Sequence, residues 1–106
     1  MAARVFAMKL ASVRLIAADI HAMVSFYEMV TGLTARWLAP VFAEIVTPGA
    51  TIAIGSIDTV ALWKEGSAEP RANRTAFLEL QVDDIEAEYA RLAGKVDLVH
   101  GLKTMP

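Results

Sequence analysis

Arg14 and Glu79 are the charged side chains of this sequence best placed to do chemistry. Each lies inside a short alternating run, Ser12-Val13-Arg14-Leu15-Ile16-Ala17 and Phe77-Leu78-Glu79-Leu80-Gln81-Val82. In an extended chain, side chains alternate between faces. Val13, Leu15 and Ala17 therefore share an apolar face, and Ser12, Arg14 and Ile16 share the other. In the second run Phe77, Glu79 and Gln81 fall together. A guanidinium, a carboxylate, an amide and a ring on such faces are the groups that orient a flat, partly polar molecule in a pocket. Burying a charge is costly unless it is paired, so a contact between Arg14 and Glu79 is one reading of the two residues. The other is that both are ordinary solvated strand residues on a wet face. Glu79 has the chemistry of a general base, but no nucleophile or metal-ligand set accompanies it, so no residue is assigned a catalytic role.

Trp63 and His100 extend the candidate ligand-binding set of Arg14, Phe77, Glu79 and Gln81. The aromatic rings Trp37, Trp63 and Phe77 can line a pocket or fill core, and only Phe77 has a parity that assigns it to the pocket face. Phe26 and Tyr27 belong to helix packing. His21 stands in a first helical turn, where the helix dipole disfavours positive charge, and reads as a surface residue. Two separate histidines, at 21 and 100, do not have metal-ligand spacing. Gly49, Gly55 and Gly66 are too scattered for a phosphate-binding loop.

The elements that position these residues occur twice. Ser12 to Ile20 and Phe77 to Ile85 are the same pattern, a strand run into an aspartate that opens a helix. The offset is 65 residues, both from 77 − 12 and from 84 − 19. Such a repeat fixes architecture before single residues are interpreted. The first strand spans about Lys9 to Ala18. Asp19 is a helix N-cap, Ile20, Met23, Val24, Tyr27 and Val30 form a helical stripe, and Gly32 is the left-handed stop. Strand segments follow at Thr34 to Leu38, Phe42 to Thr47 and Thr51 to Ile54, the last two joined through Pro48-Gly49 as a hairpin. Thr59 to Trp63 reads as a further short strand. Lys64 to Arg74 is a polar connector. The second unit begins at Thr75, with a helix from Ile85 through Tyr89 to Leu92, a stop at Gly94 and a strand beginning at Val96 to His100.

Composition bounds the function. The chain has 106 residues, enough for one domain, with 56% hydrophobic and 21% charged residues. A net charge of −2 gives no basic field for nucleic acid. The absence of cysteine excludes disulfides and thiolate metal sites, and it fits a reducing cytoplasm. Met1 to Met8 is too short an apolar run for a signal peptide or a membrane span and reads as a frayed extension. The expected location is cytoplasmic, with neither membrane nor nucleic acid as partner.

The string Asp19-Ile20, then Ser25-Phe26-Tyr27 and Gly32-Leu33, resembles the opening of the vicinal oxygen chelate superfamily. This group includes glyoxalase I, bleomycin resistance proteins, fosfomycin-modifying enzymes and extradiol dioxygenases. Val82-Asp83-Asp84-Ile85-Glu86-Ala87 resembles the start of that superfamily's second module, so the likeness runs from about Ser12 to Pro106. It implies an α+β fold of paired βαβββ modules curved around a shared cavity, in a homodimer. Module one is then about 9–63, the connector 64–74 and module two about 75–106. The second module is incomplete, since Lys103-Thr104-Met105-Pro106 reads as the approach to a further strand.

The family's metal enzymes take His, Glu or Gln ligands from the first and last strands of each module. Carried over, these positions are Ser12, Phe77, and Ala53 or Ala61 according to which strand closes module one; the fourth lies beyond Pro106. Phenylalanine and alanine offer no donor atom, and serine rarely serves. The resemblance therefore implies no metal and no cofactor. Three functions follow: a metal-free protein that binds a small aromatic or hydrophobic compound between its modules, a metal-dependent lyase, isomerase or dioxygenase of the same superfamily, and a non-catalytic interaction module. The empty ligand positions favour the first.

Overall fold

The computed structural model describes residues 8–102. They form two compact units, one up to Arg74 and one from Thr75. The expectations for 103–106, and nearly all of that for Met1 to Met8, lie outside the described residues.

The first unit is built on the strand β1 (Ser12–Ala17), the helix α1 (Ile20–Thr31) and three further strands, β2 (Arg36–Ala39), β3 (Phe42–Val46) and β4 (Thr51–Ser56). Asp19 opens α1 as expected: it is extended, and its carboxylate accepts the Ala22 N–H at 3.1 Å. That bond satisfies one of the amides a helix start leaves without a partner. Replacing Asp19 by alanine is expected to cost about 1 kcal/mol of stability, read as a lower urea midpoint at unchanged slope. An unshifted midpoint would mean that water caps the helix equally well. At the other end Gly32 has φ 71°, and its N–H donates to Glu28 O at 2.8 Å. This left-handed stop suits a residue without a Cβ. Glu28 Oε2 accepts the Ala35 N–H at 2.8 Å and ties the helix to the entry of β2.

The strands pair in the order β1-β4-β3-β2. β2, β3 and β4 are antiparallel neighbours, and β1 lies parallel to β4 with Ser12 opposite Thr51 and Ala17 opposite Ser56. The turn between β3 and β4 is closed by Thr47, whose Oγ1 accepts the Ala50 N–H at 3.2 Å and donates to the Ala50 carbonyl. A parallel pair needs a crossover, and α1 with the β2–β3 hairpin supplies it. The helix packs on one face of the sheet, and the core is Ala17, Ile20, Val24, Ala43, Ile45, Ile52 and Ile54. Each buried isoleucine contributes about 1.5–3 kcal/mol through removal of its side chain from water. Tyr27 packs against this cluster, and burial raises its phenol pKa above the ordinary value.

Three expectations are corrected. Thr59 to Trp63 is not a strand: Ile57–Leu62 forms a short 3₁₀ helix, η1. Ser56 caps it, its Oγ accepting the Asp58 N–H at 3.2 Å, while Thr59 Oγ1 donates to Ser56 O at 2.7 Å. These local bonds win over β propensity. In the second unit no strand forms at Phe77 to Val82 or at Val96 to His100. A strand needs a hydrogen-bonded neighbour, and among the described residues of this unit there is none. What forms is the helix α2 (Ile85–Leu92), capped by Asp84, whose carboxylate accepts the Ala87 N–H at 3.0 Å. Glu88 pairs with Arg91 at 2.6 Å on its surface, and Gly94 follows with φ 78°. Among the described residues no helix is long and apolar enough to cross a membrane.

Candidate functional site

The face of the sheet away from α1 carries Arg14, Glu44 and Arg36 among apolar residues. Strand register arranges them in rows. Arg14 lies opposite Ala53, Ala53 opposite Glu44, and Glu44 opposite Arg36. In the next row Ile16 faces Gly55, Gly55 faces Phe42 and Phe42 faces Ala39. The inner strand β4 thus contributes only small groups to these two rows, between longer side chains on β1 and β3. Ala53 is nonetheless only 2% exposed.

Arg14 dominates this face. Its guanidinium carbon lies 4.3 Å from the centre of the Phe42 ring and 4.9 Å from that of Trp63. Both distances lie within the range where a cation is attracted to an aromatic quadrupole. Phe42 arrives from β3 diagonally across the sheet. Trp63 arrives from the end of η1, where its N–H donates to Val60 O at 3.1 Å. η1 in turn packs on β1 and β4. A Cβ at Gly55 would stand 3.0 Å from Thr59 Oγ1, so the glycine makes the room in which η1 sits. At the far side of the face Glu44 forms an ion pair with Arg36. Among the described residues of the first unit, no carboxylate or carbonyl accepts from the Arg14 guanidinium. The arrangement holds a cation in a fixed place against two rings, with its N–H donors unspent.

Of the candidate ligand-binding residues, the structure therefore brings Arg14 and Trp63 together. Trp63 reaches Arg14 from a helical turn, not from the strand expected there. Phe77, Glu79, Gln81 and His100 lie in the second unit and are all exposed, Phe77 at 92%. The His100 ring Nδ1 lies 2.7 Å from Gly101 O. Trp37 lies on the opposite face of the sheet, stacked on His21 at 4.9 Å between ring centres. Phe42 is a member of the site that the sequence-derived set lacks, although its parity against Ala43 and Ile45 marks it as belonging to the polar face.

A helix crossing from β1 to a parallel β4, with two antiparallel strands between, is one βαβββ module. The family profile described as Glyoxalase/Bleomycin resistance protein/Dioxygenase superfamily matches residues 9–106. The chain belongs to this superfamily. Solved structures share the glyoxalase-type fold at low identity. One is a glyoxalase/bleomycin resistance protein/dioxygenase from Nocardioides, 22% identical, with a TM-score of 0.75 over 97% of this chain and 72% of that one. Another is an integron cassette protein from the mobile metagenome of V. cholerae, 20% identical, with a TM-score of 0.58 over 91% of this chain and 77% of that one. No curated protein matches this glyoxalase-type chain.

The fold locates the metal positions that the superfamily implies. β4 is the last strand of the module, so its ligand slot is Ala53, and Ala61 belongs to η1. The slot holds a methyl group, Ser12 is an exposed residue at the start of β1, and Phe77 offers only a ring. Glu44 is the nearest carboxylate along the row of Ala53, and Arg36 already engages it. Among the described residues no three His, Cys, Asp or Glu side chains converge. This donor set does not fit the metal centre of the superfamily's enzymes.

Proposed function

We propose that this glyoxalase-type chain is a metal-free binding protein that takes up a small flat aromatic or hydrophobic compound against the face of its sheet away from α1. The observation that carries the proposal is the cluster of Arg14, Phe42 and Trp63 beside a ligand slot filled by Ala53. Aromatic walls with a few fixed polar groups are how most small-molecule sites are built. Trp63 is 57% exposed, which leaves ring surface against which a second ring can stack. Arg14 would fix orientation, and Ala53 and Gly55 keep the inner strand β4 low.

The test is a thermal-shift screen of flat aromatic compounds on protein dialysed against EDTA. Hits are expected to survive chelation, and Trp63→Ala is expected to weaken them about tenfold, the loss of roughly 0.5–1.5 kcal/mol of ring stacking together with buried area. Ligands that bind only after Zn, Ni, Mn or Fe is restored, or near one metal per chain retained through dialysis, would replace this reading with a metal-dependent enzyme.

A further inference from the structure

The charges on the face of the sheet away from α1 are unevenly matched. Along one row the sheet carries Arg14, then the methyl of Ala53, then Glu44, then Arg36. Glu44 is spent on Arg36 and has only 15% of its side chain exposed, so the outer pair is locally neutral. Arg14 is left over. The rings of Phe42 and Trp63 attract its guanidinium but cannot cancel its charge, and they accept none of its N–H groups in the forked geometry that a carboxylate offers.

This imbalance matters once a ligand covers the face. A neutral flat molecule laid over Arg14 would displace water from its N–H donors and leave them without partners, which is costly. A cation would be repelled. An anionic group at the edge of a flat molecule would take two N–H donors at once. Strand spacing sets Glu44 about 10 Å from Arg14, two strands away, which keeps its charge apart from that of the ligand. The rings hold the guanidinium in position before binding, so little side-chain freedom remains to be lost.

We propose that the compound bound on this face is a planar anion, an aromatic carboxylate or a close equivalent, and that Arg14 is the residue that selects it. The proposal rests on the binding function above and narrows it to one charge class. It is tested with three probes of the same shape, 2-naphthoate, 2-naphthamide and 2-naphthamidine, titrated calorimetrically into the full chain at low and at high salt. The expected order is naphthoate at least tenfold tighter than naphthamide, with naphthamidine weakest, and a preference that shrinks as salt rises. Arg14→Gln is expected to bring naphthoate and naphthamide to within about twofold of each other while naphthamide still binds. Arg14→Lys, which keeps the charge but loses the fork, is expected to fall between them. Because Arg14 is exposed on an edge strand, the variants should keep the wild-type melting temperature, and circular dichroism checks this. Equal binding of naphthoate and naphthamide by the wild type, or an anion preference untouched by Arg14→Gln, would overturn the charge assignment and leave the binding function standing. Failure of all three probes, together with an empty aromatic screen, would remove both.

Discussion

Truncating Ile54 to alanine is expected to destabilise the first unit by about 2–5 kcal/mol. Ile54 is 0% exposed and sits on one of the two inner strands, with Leu15 opposite on one side and Ala43 on the other. Its side chain points toward α1, in the same cluster as Ile20 and Val24. Deleting three carbons there loses their transfer free energy and opens a void between sheet and helix. The void cannot close easily, because β4 is held on both edges by hydrogen-bonded neighbours. Domains of this size have about 5–15 kcal/mol in total, so a large share of the stability goes with one side chain. Val46→Ala on the neighbouring strand provides the contrast: Val46 is 53% exposed on the face away from α1, and its truncation is expected to stay within about 0.5 kcal/mol. Urea unfolding of both variants decides the matter. A loss below about 1 kcal/mol for Ile54→Ala would mean that the helix settles into the gap.

The second large effect is at Gly55, where the opposite change, added volume, is harmful. A Cβ there meets Thr59 Oγ1 at 3.0 Å and Ile16 Cδ1 at 3.6 Å. The Thr59 hydroxyl cannot move aside without giving up its bond to Ser56 O, and Thr59 itself is only 5% exposed. Valine adds two further methyl groups to that contact. Overpacking of this kind costs about 1–3 kcal/mol. Its consequence reaches the ligand face, because the contact that must yield is the seat of η1, and η1 ends at the ring that stands over Arg14. Gly55→Val is therefore expected to lower the melting temperature by several degrees and to weaken aromatic ligands together with it. Gly55→Ala, which adds only the Cβ, should show a smaller form of both. A melting temperature unchanged in Gly55→Val would show that η1 shifts freely.

The first unit is legible in the sequence because each of its elements carries a local signal that tertiary structure then reinforces. Asp19 and Gly32 bracket α1, Leu15 and Ala17 alternate into the core that the helix covers, and Thr47 to Ala50 closes a turn that the Thr47 side chain stabilises. The segments that depart from expectation share a different physics. Phe77 to Val82 alternates as cleanly as β1, but alternation only says which face is apolar; a strand also requires a second strand to accept its hydrogen bonds. Thr59 to Trp63 is β-branched and aromatic in composition, yet the hydroxyls of Ser56 and Thr59 satisfy the backbone locally and turn the segment into η1. At the site, Arg14 can be placed by parity alone. That Trp63 reaches it cannot, since the turn of η1 that brings the ring round follows no period-2 rule. Phe42 is legible in principle: Ala43 and Ile45 belong to the core, so the residue before them must face the other way.

The parallel pairing of β1 with β4 also predicts an order of events during folding. Ser12 meets Thr51 across 39 steps of chain, 51 − 12, whereas β3 and β4 meet across one tight turn. Contacts between distant residues close a large loop before any reward is received, and they form slowly. The β3–β4 hairpin is thus the natural early structure, and β1 is the strand that completes the sheet last. Until it does, Leu15 and Ala17 have no covered face, and Arg14 has no ring from Phe42 beside it. Truncation of the partly buried Leu15 in β1 should accordingly speed unfolding far more than it slows refolding, and substitutions in the Thr47–Ala50 turn should do the reverse. The strand that bears Arg14 would then be the first to detach when the domain is stressed, so that a ligand bound against it would raise resistance to unfolding.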